Sequence, residues 1–291
     1  MQAEELLKEV RRIKIRTNRI VEEVIGGEYH SAFKGRGLEF SEVREYVAED
    51  DIRSIDWNVT ARMGSPYIKR FVEERELTIQ LLVDVSDSMD FGTGNRLKRE
   101  TCAEISGLLG FSAIKNNDRI GLIGFSKQIE QYIPPRKGVR SVLRVVRDLL
   151  ELRGSGVTDI SVALEHLMSV QRRRAVVFLI SDFHASGFEN TLKMAAMKYD
   201  LIPVWVDGGL ELNPPRGMIS MLPLEDGRPR MVDFGSHRIR EAYIEAVMAH
   251  RERLSTTFSK LGLDYISVTA GTDMYHSFRR FFEKRKRRMV R

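Results

Sequence analysis

The alternation of apolar, β-rich runs with helical periodicity from residue 77 onward is the feature that most constrains the fold. The apolar runs are nearly continuous, as expected of strands that are buried on both faces. The predicted strands cover residues 77–85, 119–125, 128–133, 175–181, 201–207 and 264–270. Helical periodicity covers residues 96–115, 139–152, 159–170, 187–199 and 237–261, and a last helix runs toward the end of the chain. This order predicts an α/β fold with a doubly wound, largely parallel, Rossmann-like central sheet and right-handed crossovers.

The first 76 residues are predicted to form a separate N-terminal segment. Apolar side chains recur at helical spacing over residues 4–25 with charges between them, which predicts an amphipathic helix. Gly26 and Gly27 are expected to end that helix. Ser41, with glutamates in the turn that follows, predicts a second, short helix over residues 41–51.

Two further boundaries divide the rest of the chain. Residues 208–235 interrupt the strand–helix alternation, and Asp226 and Gly227 lie there between two alternating apolar runs, which predicts a hairpin insertion. Residues 279–291 are a basic, low-complexity tail. We therefore expect an N-terminal part over 1–76, an α/β domain over 77–278 and a tail over 279–291.

The basic character of the chain is concentrated in that tail. The formal net charge is +6, yet residues 279–291 alone hold eight Lys/Arg and one Glu, a contribution of +7. The other 278 residues hold 39 basic and 40 acidic side chains, a net charge of −1. Any electrostatic attraction to nucleic acid or to an anionic membrane surface rests on the tail, so a nucleic-acid partner is not the expected one. The simpler interpretation of the tail is a solvated helix end.

Composition also predicts the location of the protein. One cysteine, Cys102, excludes an internal disulfide and suits a reducing compartment. No apolar run approaches the roughly 20 residues that cross a bilayer. The N-terminus carries charges where a signal peptide needs an apolar stretch. A cytoplasmic protein without a membrane span is expected.

Five polar residues follow strands or precede a helix where a ligand site is expected. Asp84, Ser86 and Ser88 follow the first long strand, Thr158 precedes a helix, and Asp182 ends another apolar strand. In an open parallel sheet the carboxyl ends of the strands form the usual ligand crevice. All five offer hard oxygen donors, and none is His or Cys, which favours Mg²⁺, with Mn²⁺ and Ca²⁺ as alternatives, over zinc.

This constellation resembles the metal-ion-dependent adhesion site of von Willebrand factor type A domains. The resemblance covers residues 77 to about 285. It implies that Ser86, Ser88 and Thr158 bind the metal directly, while Asp84 and Asp182 act largely through water. It further implies a metal that keeps one position open for a carboxylate of another protein.

A second resemblance covers the upstream segment. The stretch GRGLEFSEVREYVAEDDIRSIDWNVTARMG, followed by a strand and DVSDSM, is similar to the bacterial family called domain of unknown function 58. That family is often linked to MoxR-type AAA+ ATPases, with a proposed role in the assembly or maturation of protein complexes. Many members carry N-terminal transmembrane helices, which this chain is expected to lack. The resemblance implies an adaptor that binds such an ATPase or its client.

Two other functions remain open at this point. A metal-dependent hydrolase would need a general base beside the metal, for which Asp87, Asp90 and His184 are the candidates. A nucleic-acid-binding adaptor would act through the basic tail. We recognise no catalytic constellation, so an enzyme is not expected.

Three side-chain roles also stay open. Thr158 has an alternative role as a helix N-cap, and Asp182 has one as a cap of the segment after His184. The charged segment from Arg36 to Arg62 is interpreted either as a salt-bridged collar packed on the α/β core or as a partner-docking surface anchored by Trp57.

Overall fold

The computed structural model of the chain describes residues 3–21, 29, 32–33, 39–48, 50–72, 76–93, 96–154, 156–209, 214–221 and 230–289. Its α-helices are α1 Ala3–Ile20, α2 Trp57–Met63, α3 Lys98–Lys115, α4 Val139–Glu151, α5 Ile160–Val170, α6 Glu189–Lys198, α7 His237–Lys260 and α8 Tyr275–Met289. Its strands are β1 Glu39–Glu45, β2 Tyr67–Val72, β3 Thr78–Asp84, β4 Gly92–Thr93, β5 Arg96–Leu97, β6 Arg119–Phe125, β7 Ile129–Arg136, β8 Val176–Ser181, β9 Asp200–Asp207, β10 Met218–Met221, β11 Arg230–Asp233 and β12 Ile266–Thr269.

Six of these strands form the central sheet, in the order β12-β9-β8-β3-β6-β7. Every neighbouring pair is parallel except β6 and β7, which are antiparallel. The prediction of an α/β fold with a largely parallel central sheet is confirmed. Because β3 lies between β6 and β8, the residues that follow β3 lie at the centre of the carboxyl edge of the sheet.

Helices cover both faces of this sheet, so the central strands have no polar face. Leu81 and Val83 of β3 join a core cluster with side chains of α1, α3, α4 and α8. Leu82 between them joins the opposite cluster, with side chains of α5, α6 and α7. Successive side chains of a strand point to opposite faces, and full burial of each such side chain contributes about 1.5–3 kcal/mol. This explains why the consecutive residues from Leu81 to Val83 are all apolar.

The N-terminal helix is part of this core. Leu6 and Ile13 of α1 are buried, and the Thr17 hydroxyl donates to the Ile13 carbonyl at 2.6 Å. A Cβ atom on Gly107 of α3 would lie 2.9 Å from Ile13 Cγ2, so glycine there permits the close approach of the two helices. The described part of α1 runs to Ile20, and residues 22–28, which include its predicted end and the glycine pair expected to stop it, lie outside the described residues.

The prediction of a short helix over residues 41–51 is wrong. Residues Glu39–Glu45 form β1, which pairs antiparallel with β2, and Val43 lies opposite Lys69. The capping pattern at Ser41 depends only on neighbouring residues. The hydrogen bonds of β1 are made with a strand more than twenty residues away, and a local sequence pattern cannot reveal that pairing.

A helix does form later in the same segment. The Asp56 carboxylate caps α2 by accepting from the Asn58 and Val59 amides at 3.0 and 3.4 Å, and the helix ends at Gly64, where φ is +79°. In the insertion over 208–235, β10 and β11 pair antiparallel as a hairpin should, and the predicted turn at Asp226 and Gly227 lies outside the described residues.

The two edge strands of the central sheet differ. At one edge, β7 contains Pro134 and Pro135, and neither residue has an amide hydrogen to offer a further strand. At the other edge, β12 pairs with β9 and contains no proline.

The basic tail is largely helical and packs on the core. Residues 279–289 continue α8, whose Phe281 and Phe282 are buried. The Arg285 guanidinium contacts the Asp200 carboxylate and lies over the Phe33 ring, 4.9 Å from its centroid. Part of the positive charge of the tail is therefore paired within the protein.

Asp118 is a buried carboxyl group away from the crevice. Its Oδ1 accepts from the Leu77 amide at 2.9 Å, and its Oδ2 accepts from the Tyr29 hydroxyl at 3.4 Å. Burial raises the pKa of Asp118 to about 6. Because the folded protein holds this proton more tightly than the unfolded chain does, the stability it contributes is full below about pH 4 and is lost as the pH rises through about 6.

We therefore expect Asp118→Asn, which keeps an acceptor for Leu77, to remove a pH dependence of roughly 1–3 kcal/mol between pH 4 and 7. Urea unfolding of both proteins in EDTA across this range measures the effect as the difference between their curves. Parallel curves for the two proteins would contradict the prediction.

Candidate metal centre

Three chain segments meet at the carboxyl edge of the sheet. Asp84 is the last residue of β3, and Asp182 follows β8, its parallel neighbour. Thr158 comes from the loop before α5. The sheet topology alone therefore brings the two aspartates to the same edge.

The hydroxyl groups of the predicted site are in direct contact. Ser86 Oγ lies 3.1 Å from Ser88 Oγ and 2.7 Å from Thr158 Oγ1. Thr158 Oγ1 also donates to Asp84 Oδ2 at 3.1 Å. Four of the five predicted residues thus form one connected cluster, although Thr158 is 72 residues from Ser86 in the sequence.

The Asp84 carboxylate is almost fully enclosed. It is 1% exposed, its Oδ1 accepts from the Ser86 amide at 3.0 Å, and its Oδ2 accepts from the Ser181 hydroxyl at 2.7 Å. Ser181, the last residue of β8, is a member of the site that the sequence analysis missed. Its position directly before Asp182 was the sequence feature that could have indicated this role.

The fifth residue, Asp182, is joined to the cluster through Ser88 and to a lysine on its other side. The Ser88 side chain hydrogen-bonds to the Asp182 carboxylate, and Asp182 Oδ1 accepts from the His184 amide at 3.1 Å. Asp182 Oδ2 accepts from Lys98 Nζ at 3.1 Å. Lys98 begins α3 and is only 3% exposed. Lys98 was not predicted to belong to the site either, because a lysine after a glycine-rich turn has no sequence pattern that indicates burial.

The pKa values of the two carboxyl groups are shifted in opposite directions. Burial and then the charge of Asp182 raise the pKa of Asp84 to about 6. Burial also acts to raise the pKa of Asp182, but the Lys98 ammonium and then His184 lower it, and the net direction is down. The cluster is therefore a buried site with two neighbouring carboxylates and one ammonium, in which a further cation would relieve the repulsion between the acids.

The loop that carries Thr158 is held by backbone contacts. A Cβ atom on Gly154 would lie 2.3 Å from the Val85 carbonyl oxygen, so only glycine allows the loop to pass so near the end of β3. Asp159, not Thr158, is the N-cap of α5 and accepts from the Ser161 amide at 2.9 Å. The Thr158 hydroxyl is consequently directed to the cluster rather than to the helix.

The three candidate general bases have other contacts. Asp87 Oδ2 accepts from the Gly156 amide at 3.1 Å, and Asp90 pairs with Arg99 at 2.7 Å. The His184 ring stacks on the His250 ring, with centroids 4.7 Å apart and planes 9° apart. Within the described ranges, no group of three or more His, Cys, Asp and Glu side chains is placed to hold a metal.

The charged N-terminal segment presents its tryptophan to solvent. Trp57, at the start of α2, is 68% exposed, and Ile52 nearby is exposed as well. Arg44 and Asp50 pair with each other at 2.6 Å inside the segment. The exposure of Trp57 agrees with the docking-surface interpretation, and the ion pair agrees with the salt-bridged collar; Arg36 lies outside the described residues.

The similar curated proteins are of unknown function. This chain is 26% identical over 283 residues to uncharacterized protein Rv1480 of Mycobacterium tuberculosis and, equally, to uncharacterized protein Mb1516 of Mycobacterium bovis. In each case the match covers 96% of this chain and 89% of the relative.

Solved structures give weaker likenesses. BatB from Bacteroides thetaiotaomicron is 16% identical, with a TM-score of 0.45, over 72% of this chain and 99% of that one. An aerotolerance-related membrane protein from Bacteroides fragilis is 14% identical, with a TM-score of 0.46, over 73% and 100%. An uncharacterized membrane spanning protein from Vibrio fischeri is 16% identical, with a TM-score of 0.24, over 67% and 90%.

Two of these three proteins are described as membrane proteins. Their descriptions contradict the cytoplasmic location that the sequence predicted, and we withdraw that prediction. Across the part of the chain that the structure describes, no helix is both long and apolar enough to cross a bilayer.

A family model defines the wider relationship. The model described as "Protein of unknown function DUF58" matches residues 42–253, which include the end of β1, the whole site and most of α7. This agrees with the resemblance seen in the upstream segment and in the residues after β3. The chain belongs to the DUF58 family of proteins of unknown function.

Proposed function

We propose that this chain is a metal-dependent protein-interaction module, built as a von Willebrand factor type A-like domain with a metal-ion-dependent adhesion site. One observation carries the proposal: the Ser86 hydroxyl group contacts those of both Ser88 and Thr158 beside two buried aspartates. Hydrogen bonds within this cluster would be replaced by bonds to a cation without any change of the backbone that positions it.

The donor set fits Mg²⁺. Hydroxyl and carboxylate oxygens are hard ligands, and Mg²⁺ binds such oxygens while keeping several waters. Mn²⁺ and Ca²⁺ are the alternatives. Ser86, Ser88 and Thr158 would hold the ion, and Asp84 and Asp182 would anchor its waters. Because hydroxyl ligands add no formal charge, a bound Mg²⁺ would keep enough positive charge to take a carboxylate oxygen from another molecule.

The partner would therefore be a protein that offers an Asp or Glu side chain. By resemblance to its family, we propose a MoxR-type AAA+ ATPase, or a client of that ATPase, and a role in the assembly or maturation of protein complexes. The hydrolase alternative receives less support, since Asp87, Asp90 and His184 are engaged elsewhere. The tail-driven nucleic-acid alternative receives less support because Arg285 is paired within the fold.

Two measurements test the proposal. Titration of the metal-free chain with Mn²⁺, followed by electron paramagnetic resonance, should show one bound ion that Mg²⁺ displaces. Asp84→Ala and Ser86→Ala should each weaken this binding by about 10–100-fold, the range found when groups around a metal are removed.

The same variants should lose capture of the ATPase partner from a lysate of the native cell, and EDTA should abolish capture by the unmodified chain. Ser169→Ala, which removes an exposed hydroxyl at the end of α5, is the matched control and should change neither result. Capture of the ATPase that is unchanged in EDTA would exclude the metal bridge.

A further inference from the structure

A groove of about 610 Å³ lies at the edge of the central sheet formed by β12. It is lined on one side by the end of α7 and the loop after it, and on the other by α8. Tyr265, Ile266 and Ser267 also line the groove, and we call this part its floor. Because these residues lie toward the beginning of β12, a strand parallel to its neighbours, the groove lies toward the end of the sheet opposite the metal cluster.

The floor of the groove offers backbone hydrogen-bonding groups. The Ala270 amide donates to the Asp207 carbonyl of β9 at 2.8 Å. The N–H and C=O of one strand residue point to the same side, and the side alternates along the strand. Even-numbered residues of this strand therefore face β9, and Tyr265 and Ser267 direct their backbone groups outward. Neither has a backbone partner among the residues that the structure describes.

One wall of the groove is positively charged. Arg280, Lys284 and Arg288 recur at every fourth position of α8 and thus form one row along the helix. The carboxylate of Asp264 accepts from Lys284 at 3.1 Å and also contacts Arg288. Three basic groups against one acidic group leave a net charge of +2. Arg280 forms no ion pair with any described residue.

We propose that this groove binds an extended, acidic segment of a partner protein, which adds as a strand to the edge of β12. Main-chain bonds to Tyr265 and Ser267 would hold the segment, as in other cases of strand addition, and the basic row of α8 would select acidic side chains. A nucleic acid would meet the same charges through its phosphates, but it would make no use of the strand edge. Hydrogen bonding to the edge of β12 therefore distinguishes a peptide strand from a nucleic acid as the ligand.

The test uses the full chain and a fluorescent peptide of about eight residues that alternates Val with Glu, a length typical of a strand. Ser267→Pro removes the outward amide and is a substitution that edge strands tolerate, so we expect it to weaken binding by about tenfold relative to Ser267→Ala. Arg280→Glu should weaken binding to a similar extent, while Arg287→Glu, on the same helix but outside the groove, should not. Circular dichroism establishes that each variant is folded.

A second measurement leaves the protein unchanged. A Val–Glu peptide with an N-methyl group on every backbone amide keeps its charges but has no amide hydrogen to donate to a strand edge from either side, and it should not bind. The proposal is overturned by equal binding of the methylated peptide, by equal binding of a Val–Lys peptide, or by no saturable binding of the Val–Glu peptide. Binding of single-stranded DNA that Arg280→Glu weakens and Ser267→Pro does not would assign the groove to nucleic acid instead.

Discussion

Replacing Lys98 with methionine is expected to tighten Mg²⁺ binding by about tenfold or more, since one unit charge close to a buried site changes its energy by more than 1 kcal/mol. The Lys98 ammonium bonds to Asp182 at 3.1 Å and is almost fully buried, so solvent screens it poorly. It both occupies an oxygen that would anchor the metal and repels a second cation. Methionine has a similar length without the charge, and it can still pack against the Phe91 ring beside Lys98.

The same substitution should destabilise the metal-free protein. Without Lys98, the Asp182 carboxylate is left buried beside Asp84, and breaking a buried pair in this way typically costs about 3–5 kcal/mol. Urea unfolding in EDTA should show this loss, and saturating Mg²⁺ should restore most of it.

Isothermal titration calorimetry measures the affinity, with Lys115→Met at the other end of α3 as the control. An unchanged Mg²⁺ affinity in a folded Lys98→Met protein would show that the ammonium does not oppose the metal. Absence of Mg²⁺ binding to the unmodified chain would instead remove the proposed function itself.

Replacing Phe282 with alanine should lower the free energy of unfolding by about 3–5 kcal/mol, the usual loss when a buried phenylalanine is truncated. Phe282 is fully buried, and its ring centroid lies 5.8 Å from that of Tyr29, 5.7 Å from that of Phe33 and 5.5 Å from that of Phe281. The cavity left by alanine would loosen the contact between α8 and the N-terminal part of the chain.

Urea unfolding measures this loss, with two control variants on the same helix, α8. Phe282→Leu should lose less, because it fills more of the cavity. Lys286→Ala changes an exposed side chain of the same helix and should alter stability by no more than about 0.5 kcal/mol. If Phe282→Ala unfolded at the same urea concentration as Lys286→Ala, the last helix would not belong to the core.

Much of the α/β core could be predicted from the sequence. Residues 119–125 were assigned as a strand, which the structure confirms to the residue, and helix α4 differs by one residue from its predicted end. These elements are bounded by charged or glycine-containing turns, and their apolar pattern follows directly from burial on one or both faces. The placement of Asp84 and Asp182 at one edge followed from the rule that parallel strands end at the same edge of the sheet.

The errors and omissions share one physical cause. The pairing of β1 with β2, the contact of Lys98 with Asp182 across 84 residues and the contact of Ser181 with Asp84 across 97 all depend on distant parts of the chain. A local pattern carries no information on which remote group will satisfy a hydrogen bond or a buried charge. The charge partner within the site was therefore visible only in the folded protein.

Because of Pro134 and Pro135 in β7, the two edges of the central sheet differ in their ability to accept a further strand. Neither proline can donate a hydrogen bond to a strand that approaches from that side, whereas a strand that approaches β12 meets amides that can. Copies of the chain consequently cannot join edge to edge into an unlimited sheet, since the β7 edge of each copy does not accept a further strand. The asymmetry allows one extended partner at β12 while protecting the protein from edge-to-edge aggregation.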